Sequence, residues 1–299
     1  MSATRPAAGL GVAVAAVSTG AVLVRLSAAP ASVAAFYRVL FTTLPLAPVA
    51  LVRYRGAFAR MGRRDLAFAA LSGVSLAVHF AAWFESLAWT SVAASVTLVQ
   101  AQPVFVALGA WLALDERLGR RTVLGVLVAV AGAAAMSAGD LLGGPAVGAA
   151  PLLGNALALL GAVAAAGYVL AGRSLRQRVA LVPYVVVVYG VCTVVLLAVV
   201  LADGAPLAGY PAREWLLFAA LAVGPGLLGH TLVNWALGHL RSSVVAVSLL
   251  GEPVGATLLA LVVLGEAPAP ATVAGGAAVL VGIALAASAR GANERRRSE

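Results

Sequence analysis

An acidic residue in an apolar segment is the first candidate for chemistry in this sequence. Glu252 lies directly before Pro253 in SLLGEPVGATLLALVVLGE, residues 248–266, which is otherwise aliphatic or small apart from Glu266 at its end. A carboxylate in such surroundings is expected to be protonated, paired with a cation or facing water in a cavity. Glu252 is therefore a candidate proton, cation or substrate site, and the alternative is a neutral side chain hydrogen-bonded between helices.

Two further polar residues of apolar segments are candidates for the same site. Arg38 could be the counter-ion of Glu252 or bind an anionic group of a substrate. Its alternatives are a structural pair with Glu85 or extension to the lipid headgroups. Ser248 lies four residues before Glu252 on the same helical face and adds a hydroxyl, for which packing between small residues is the alternative.

Histidine and aromatic side chains form two more helical stripes. His79 and Trp83 are four residues apart, and so are His230 and Asn234, so each pair shares one face of a helix. A histidine titrates near neutral pH and could relay protons, and a tryptophan could stack on a planar or cationic ligand. The alternative is interhelical hydrogen bonding and aromatic packing.

No motif in the sequence indicates an enzyme. The three histidines show no metal-ligand spacing, and the sequence lacks a phosphate-binding glycine loop and a G-x-S-x-G nucleophile turn. The single Cys192 excludes a multi-cysteine metal site. We therefore predict no catalytic residue, cofactor or metal site, and any active process must draw on an ion or substrate gradient.

The elements that must position these residues are transmembrane helices. Of the 299 residues, 62% are hydrophobic and only 10% are charged, which is too apolar for a soluble domain of this size. Apolar runs of about 20 residues are long enough to cross a bilayer as helices. We predict ten spans, at 8–27, 31–52, 66–88, 91–113, 122–139, 151–171, 180–201, 215–238, 242–264 and 272–289.

The arginines predict the orientation of these spans. The net charge of +9 forms no basic face on a soluble domain, so nucleic acid is not a predicted partner. With the N-terminus in the cytoplasm, 17 of the 20 arginines lie in cytoplasmic segments and only Arg213 lies in an external loop. By the positive-inside rule both termini are cytoplasmic, in an inner-membrane protein that contacts lipid.

The two halves of the chain repeat with an offset of 150 residues. Pro103, Val104, Leu114, Glu116, Thr122, Val123, Gly125 and Gly132 recur as Pro253, Val254, Leu264, Glu266, Thr272, Val273, Gly275 and Gly282. Each half has five predicted spans, an odd number, so the halves enter the membrane in opposite orientations. Such inverted repeats build carriers with one central site. Gln102, itself a candidate polar residue of the site, occupies the place of Glu252, so the carboxylate is unique to the second half.

Two parts of the sequence resemble the repeats of EamA-type transporters of the drug/metabolite transporter superfamily. The first is HFAAWFESLAWTSVAASVTLVQAQPVFVALGAWLALDE (79–116), and the second is GHTLVNWALGHL (229–240) followed by SLLGEPVGATLLALVVLGE (248–266). The resemblance covers about residues 8–289. It implies a ten-helix carrier of small metabolites, such as amino acids, nucleobases, sugars or organic cations, often exchanged for protons.

Together these patterns predict an all-α membrane protein of ten transmembrane helices in two inverted five-helix repeats, residues 8–139 and 151–289, with a cytoplasmic tail at 290–299. The predicted function is secondary active transport, as an exporter of small metabolites or drugs by proton exchange at Glu252. A passive channel, a non-transporting membrane subunit and a membrane-embedded enzyme remain alternatives.

The aromatic residues and Glu252 favour amphipathic or cationic substrates, and a homodimer is left open. Glu116 and Glu266 are expected to cap helices or fix loops.

Overall fold

The computed structural model of the protein describes residues 4–114, 119–141, 148–175, 179–229, 232–233, 245 and 248–298. All regular elements of these residues are helices: α1 (Thr4–Leu26), α2 (Ala31–Arg53), α3 (Arg55–Ala59), α4 (Arg63–Trp89), α5 (Val92–Val99), α6 (Gln102–Leu114), α7 (Arg120–Leu141), α8 (Pro151–Leu175), α9 (Leu181–Ala202), α10 (Ala212–Leu221), α11 (Gly251–Leu259) and α12 (Pro270–Ser298). Two π-helical segments, Ala222–Gly229 and Ala260–Leu264, continue α10 and α11.

Long apolar helices dominate the part of the chain that the structure describes. Six stretches are long and apolar enough to cross a membrane: Ala8–Leu26, Ala31–Arg53, Arg63–Trp89, Val92–Leu112, Pro151–Gly172 and Val182–Ala202. Gly251–Leu264 and Pro270–Ala286 are shorter apolar helices. Helices satisfy their own backbone hydrogen bonds, as a segment in lipid must. The helix α12 extends to Ser298, so most of the segment predicted as a tail is helical.

The predicted fourth span is interrupted at its centre. The helix α5 ends at Val99 and α6 begins at Gln102, one residue before Pro103. Similarly, α11 begins at Gly251, two residues before Pro253. Proline lacks an N–H and its ring clashes with the carbonyl four residues earlier, so it is tolerated in the first turn of a helix. The offset of 150 residues thus relates two helix starts, and each proline lies in the first turn of its helix and not in the helix interior.

The helices α7 and α12 cross at glycines. A Cβ atom on Gly125 would lie 2.5 Å from the carbonyl oxygen of Gly282, and one on Gly132 would lie 2.6 Å from that of Gly275. The contacts are reciprocal, because Gly125 and Gly275 are one pair of the repeat and Gly132 and Gly282 are another. The two helices therefore run antiparallel in direct backbone contact.

The helix α11 approaches α1 in a similar way. Gly251 and Gly255 face Val14 and Ser18 of α1, and the Ser18 hydroxyl donates to the backbone carbonyl of Glu252 at 3.3 Å. A side chain larger than hydrogen at Gly255 would collide with Ser18, so the small residue permits this close approach. The packing fixes the first turn of α11, and with it Glu252, against the N-terminal helix.

Candidate binding site

A cavity of about 620 Å³ lies among α1, α2, α4, α8, α9 and the first turns of α6 and α11. We call it the central cavity. Its polar lining residues are Arg38, His79, Gln100, Gln102 and Glu252, and its aromatic ones are Phe80, Trp83, Tyr168, Tyr184 and Tyr189. This volume and this mixture of aromatic walls with a few polar groups are typical of small-molecule sites.

Glu252 enters the cavity from the first turn of α11. Its Oε2 atom accepts a hydrogen bond of 2.7 Å from Nε2 of Gln100, in the break between α5 and α6. A negative charge in a first turn is also favourable to the helix dipole. The structure therefore provides partners for a carboxylate at this position, and one of them comes from the other half of the chain.

Arg38 is buried in the wall of the central cavity, with 5% of its surface exposed. Its Cζ atom lies 4.2 Å from the centre of the Phe80 ring, within cation–π distance. Among the described residues no ion pair joins it to Glu252 or Glu85. The Glu85 carboxylate instead accepts from Nε1 of Trp89 at 2.8 Å. Burial in a cavity wall excludes extension of Arg38 to the headgroups, so its charge belongs to the cavity.

His79 connects α4 to α8 and also faces the central cavity. Its Nδ1 atom lies 2.9 Å from the carbonyl oxygen of Gly161, which can only accept, so Nδ1 bears the proton. In the neutral ring Nε2 is then the accepting nitrogen. The ring stacks on Trp83, with centres 5.8 Å apart and planes at 26°. His79 therefore makes the interhelical hydrogen bond and the aromatic contact of the alternative interpretation, and it also lines the cavity.

Arg38, His79, Trp83, Gln102 and Glu252 meet in one cavity as the predicted site requires. Gln102 Nε2 lies 3.5 Å from the carbonyl oxygen of Ala165, the long limit of a hydrogen bond. Ser248 is half-buried and is not among the described residues that line the cavity. The other two predicted residues, His230 and Asn234, lie outside the described residues.

Sequence reasoning missed Gln100 and the three tyrosines of the cavity. Gln102 occupies the place of Glu252 in the repeat, but the helix break brings Gln100 to the carboxylate instead. The available sequence signal was Pro103, which follows both glutamines and disfavours a helical conformation of the residue before it. Tyr168, Tyr184 and Tyr189 had no signal, because a tyrosine in an apolar helix also fits ordinary packing.

A second cavity, of about 830 Å³, lies at one end of the molecule between the α1–α2 turn and the end of α11. We call this the Glu266 end. Glu266 accepts a 2.5 Å hydrogen bond from the Val92 backbone N–H, at the start of α5, and pairs with Arg25 at 3.1 Å. Arg25 also donates to the carbonyl of Leu87 at 2.6 Å. The expected capping role of Glu266 is confirmed. Its ion pair with Arg25 joins α1 to the end of α11, and its hydrogen bond with Val92 adds the start of α5.

Buried aromatic rings separate the two cavities. Phe84, which is 1% exposed, lines the cavity of the Glu266 end, while Phe80, one turn earlier on α4, and Trp83, the preceding residue, line the central cavity. Glu214, which is 2% exposed, fixes the nearby α1–α2 turn by accepting from Ser27 Oγ and the Ala28 N–H. This end of the molecule is thus closed above the central cavity by packed rings and charged hydrogen bonds.

Comparison with known proteins gives a family and a fold. The sequence model of the EamA-like transporter family matches residues 7–138 and 152–288. No curated protein matches the chain. Among the solved structures 23 chains match, and one, titled only "Crystal structure of protein", is 23% identical, covers 95% of this chain and 97% of its own, and has a TM-score of 0.61. That likeness concerns the fold alone.

Proposed function

The chain belongs to the EamA-like transporter family, and from this premise we propose that it is a secondary carrier whose substrate site is the central cavity. A membrane transporter of the drug/metabolite type follows from the family. The observation that supports the site is a cavity lined by residues of both family matches, with Glu252 from one and Arg38 from the other. We propose small metabolites or drugs as substrates, and export as the direction.

The proposed architecture is ten transmembrane helices in two inverted repeats, residues 8–139 and 151–289. Its support is the pair of consecutive family matches, the helix starts before Pro103 and Pro253, and the reciprocal glycine contacts between α7 and α12. A twofold axis in the membrane plane makes equivalent helices antiparallel, as α7 and α12 are. Such symmetry supplies two open forms of similar energy around one site.

The proposed location is the inner membrane, with both termini in the cytoplasm. The support is the arginine distribution, since 17 of the 20 lie in segments that this orientation places inside. The Glu266 end then faces outward. Alkaline phosphatase fused to the C-terminus should be inactive and a green fluorescent protein fusion should fluoresce. An active phosphatase fusion would contradict an even number of spans with a cytoplasmic start.

Glu252 is the proposed proton site of the carrier. Protonation of the carboxylate changes the charge in the central cavity by one unit, and in a low-dielectric site this change acts on every neighbouring charge. Arg38 lines the same cavity, so protonation of Glu252 leaves its guanidinium without a balancing negative charge. We propose that this change biases rocking between the two open forms and exchanges a proton for substrate.

Counterflow tests the carrier proposal against its alternatives. Proteoliposomes loaded with an unlabelled metabolite that stabilises the purified protein in a thermal-shift screen should take up the labelled compound faster than empty ones. A carrier exchanges its substrate across the membrane and so shows this stimulation. Flux without stimulation would indicate a passive channel, and no flux with any stabilising metabolite would indicate a non-transporting subunit.

A further inference from the structure

Two buried hydrogen-bond donors of the central cavity have no partner among the described residues. They are Nη1 of Arg38 and Nε1 of Trp83, on α2 and α4. The two residues are 5% and 6% exposed, and both line the cavity. An unsatisfied buried donor costs free energy, and a charged one costs more. Two such donors on different helices therefore mark one place where an acceptor is required.

The side chains that carry the two donors are neighbours in the cavity wall. The Cζ atom of Arg38 lies 5.7 Å from the centre of a Trp83 ring. A planar group with two accepting oxygens suits this arrangement, because one oxygen can meet the guanidinium and the other the indole N–H. The backbone of α6 also starts at the cavity, with no acidic residue in its first turn, and a helix start favours a negative charge.

We propose that Arg38 and Trp83 bind the carboxylate of the substrate, which is thus an organic acid or a zwitterion with a flat apolar body. This proposal rests on the central cavity being the substrate site. The aromatic rings Phe80, Tyr168, Tyr184 and Tyr189 supply the walls for the apolar part. An organic acid and a zwitterion share one carboxylate group, and this group would accept from the unpartnered donors of Arg38 and Trp83.

The charges of the cavity favour a monoanionic group over a phosphate. Among the described lining residues Arg38 is the only arginine, and the chain has no lysine. When Glu252 is protonated, the guanidinium balances the single negative charge of a carboxylate, while a phosphate dianion would leave a surplus of negative charge. His79 does not change this count when neutral, since its Nδ1–H is used by Gly161.

The same geometry argues against a cation as the group bound by the aromatic wall. A cationic ligand would need an aromatic face near Glu252, as the sequence first suggested for Trp83. The face of Phe80 is already occupied by the Arg38 guanidinium at 4.2 Å, and Phe84 lies 5.6 Å from the same atom. A second cation there would meet a buried like charge. Beside Arg38 the cavity wall therefore favours a carboxylate over a cationic group.

Binding to the purified protein tests this inference without any transport step. We would titrate phenylacetate, phenylacetamide and 2-phenylethylamine at one pH by isothermal calorimetry, because the three probes share a ring and differ in the polar group. We expect phenylacetate to bind at least about tenfold more tightly than the other two, as charge-assisted hydrogen bonds provide. Equal binding of phenylacetamide, or tighter binding of 2-phenylethylamine, would overturn the proposal.

Two variants locate the effect at the donors. Arg38→Gln should remove the preference for phenylacetate over phenylacetamide, and Trp83→Phe, which keeps an aromatic ring and loses only the N–H, should reduce it severalfold. Trp83→Phe also keeps the test valid if Arg38→Gln fails to fold. A preference unchanged in Trp83→Phe and in any folded Arg38→Gln would overturn the proposal. Phenylacetate binding in a protein that shows no counterflow would leave the carboxylate site standing and remove the carrier function.

Discussion

Among the described residues, Glu252 and Gln100 form a direct side-chain contact that joins the two halves of the chain in the central cavity. The donor Nε2 lies 2.7 Å from Oε2, a length typical of a charge-assisted hydrogen bond. A donor of this kind stabilises the ionised carboxylate over the protonated acid. Gln100 is therefore proposed to set the pH at which Glu252 gains its proton during transport.

Replacing Gln100 with leucine should move the pH profile of transport to higher pH. The ionised carboxylate loses a donor, so the protonated form persists to a higher pH, and the loss of about 1 to 2 kcal/mol corresponds to about one pH unit. The measurement is the uptake rate of wild-type and Gln100→Leu proteoliposomes across pH 5 to 9.

Gln102→Leu is the matched control for this change. Gln102 lines the same cavity, but its amide lies near the Ala165 carbonyl at 3.5 Å, so its loss should leave the midpoint in place. A Gln100→Leu midpoint equal to that of the wild type would show that this hydrogen bond does not act on the proton site.

Residue types and spacing predicted part of the site because an ionisable side chain in an apolar helix needs a special environment. Glu252, Arg38 and His79 were identified on that ground, Trp83 was identified by its spacing of four residues from His79, and all four line the cavity. Ser248 was identified by helical spacing from Glu252, but Ser248 lies before the start of α11, so the assumed continuous helix does not relate the two residues. Local spacing has predictive value only inside one unbroken helix.

The paired helix interruptions are the feature of the secondary structure that positions the site. The break after α5 places Gln100 in the cavity, and the start of α11 places Glu252 opposite it. Long apolar runs predicted where helices occur, and the observed bounds agree with the predicted spans within a few residues over most of the described chain. The break between α5 and α6 was not predicted, because hydropathy is uniform through residues 92–112 and shows only the length of the span.

The glycine contacts of α7 and α12 predict which small substitution the helix packing cannot accept. A Cβ atom at Gly132 would lie 2.6 Å from the Gly275 carbonyl oxygen, so Gly132→Ala must push the two helices apart. We expect a loss of about 1 to 3 kcal/mol in unfolding free energy, as for other overpacked sites. The readout is the thermal unfolding temperature of the purified protein in detergent.

Gly11→Ala in α1 is the matched control, since nothing lies within 4 Å of a Cβ atom placed there. An alanine in a helix is more favourable than a glycine, so the unfolding temperature should stay equal or rise slightly. Equal unfolding temperatures for Gly132→Ala and the wild type would contradict the close crossing of α7 and α12.

The complete molecule combines a closed Glu266 end with a central cavity that is lined by residues of both halves of the chain. The ion pair of Arg25 with Glu266 joins α1 to the end of α11, and Phe84 separates the two cavities. A carrier needs one end closed while the site is occupied, and this arrangement supplies a closed end. The repeat with its offset of 150 residues could be identified from the sequence because Pro, Glu and Gly at fixed spacing are rare matches in aliphatic sequence.

We propose above all that the charge state of Glu252 couples proton movement to substrate movement through this cavity. Glu252→Gln is the direct test, since it keeps the size of the side chain and mimics the protonated acid permanently. Glu85→Gln is the control, because Glu85 lies outside the central cavity and accepts from Trp89.

The decisive measurement is the uptake rate of a thermal-shift ligand by proteoliposomes across the same pH range for the wild type and both variants. We expect the rate to depend on pH in the wild type and in Glu85→Gln, and to become independent of pH in Glu252→Gln. Full transport by Glu252→Gln with the wild-type pH profile would contradict the claim.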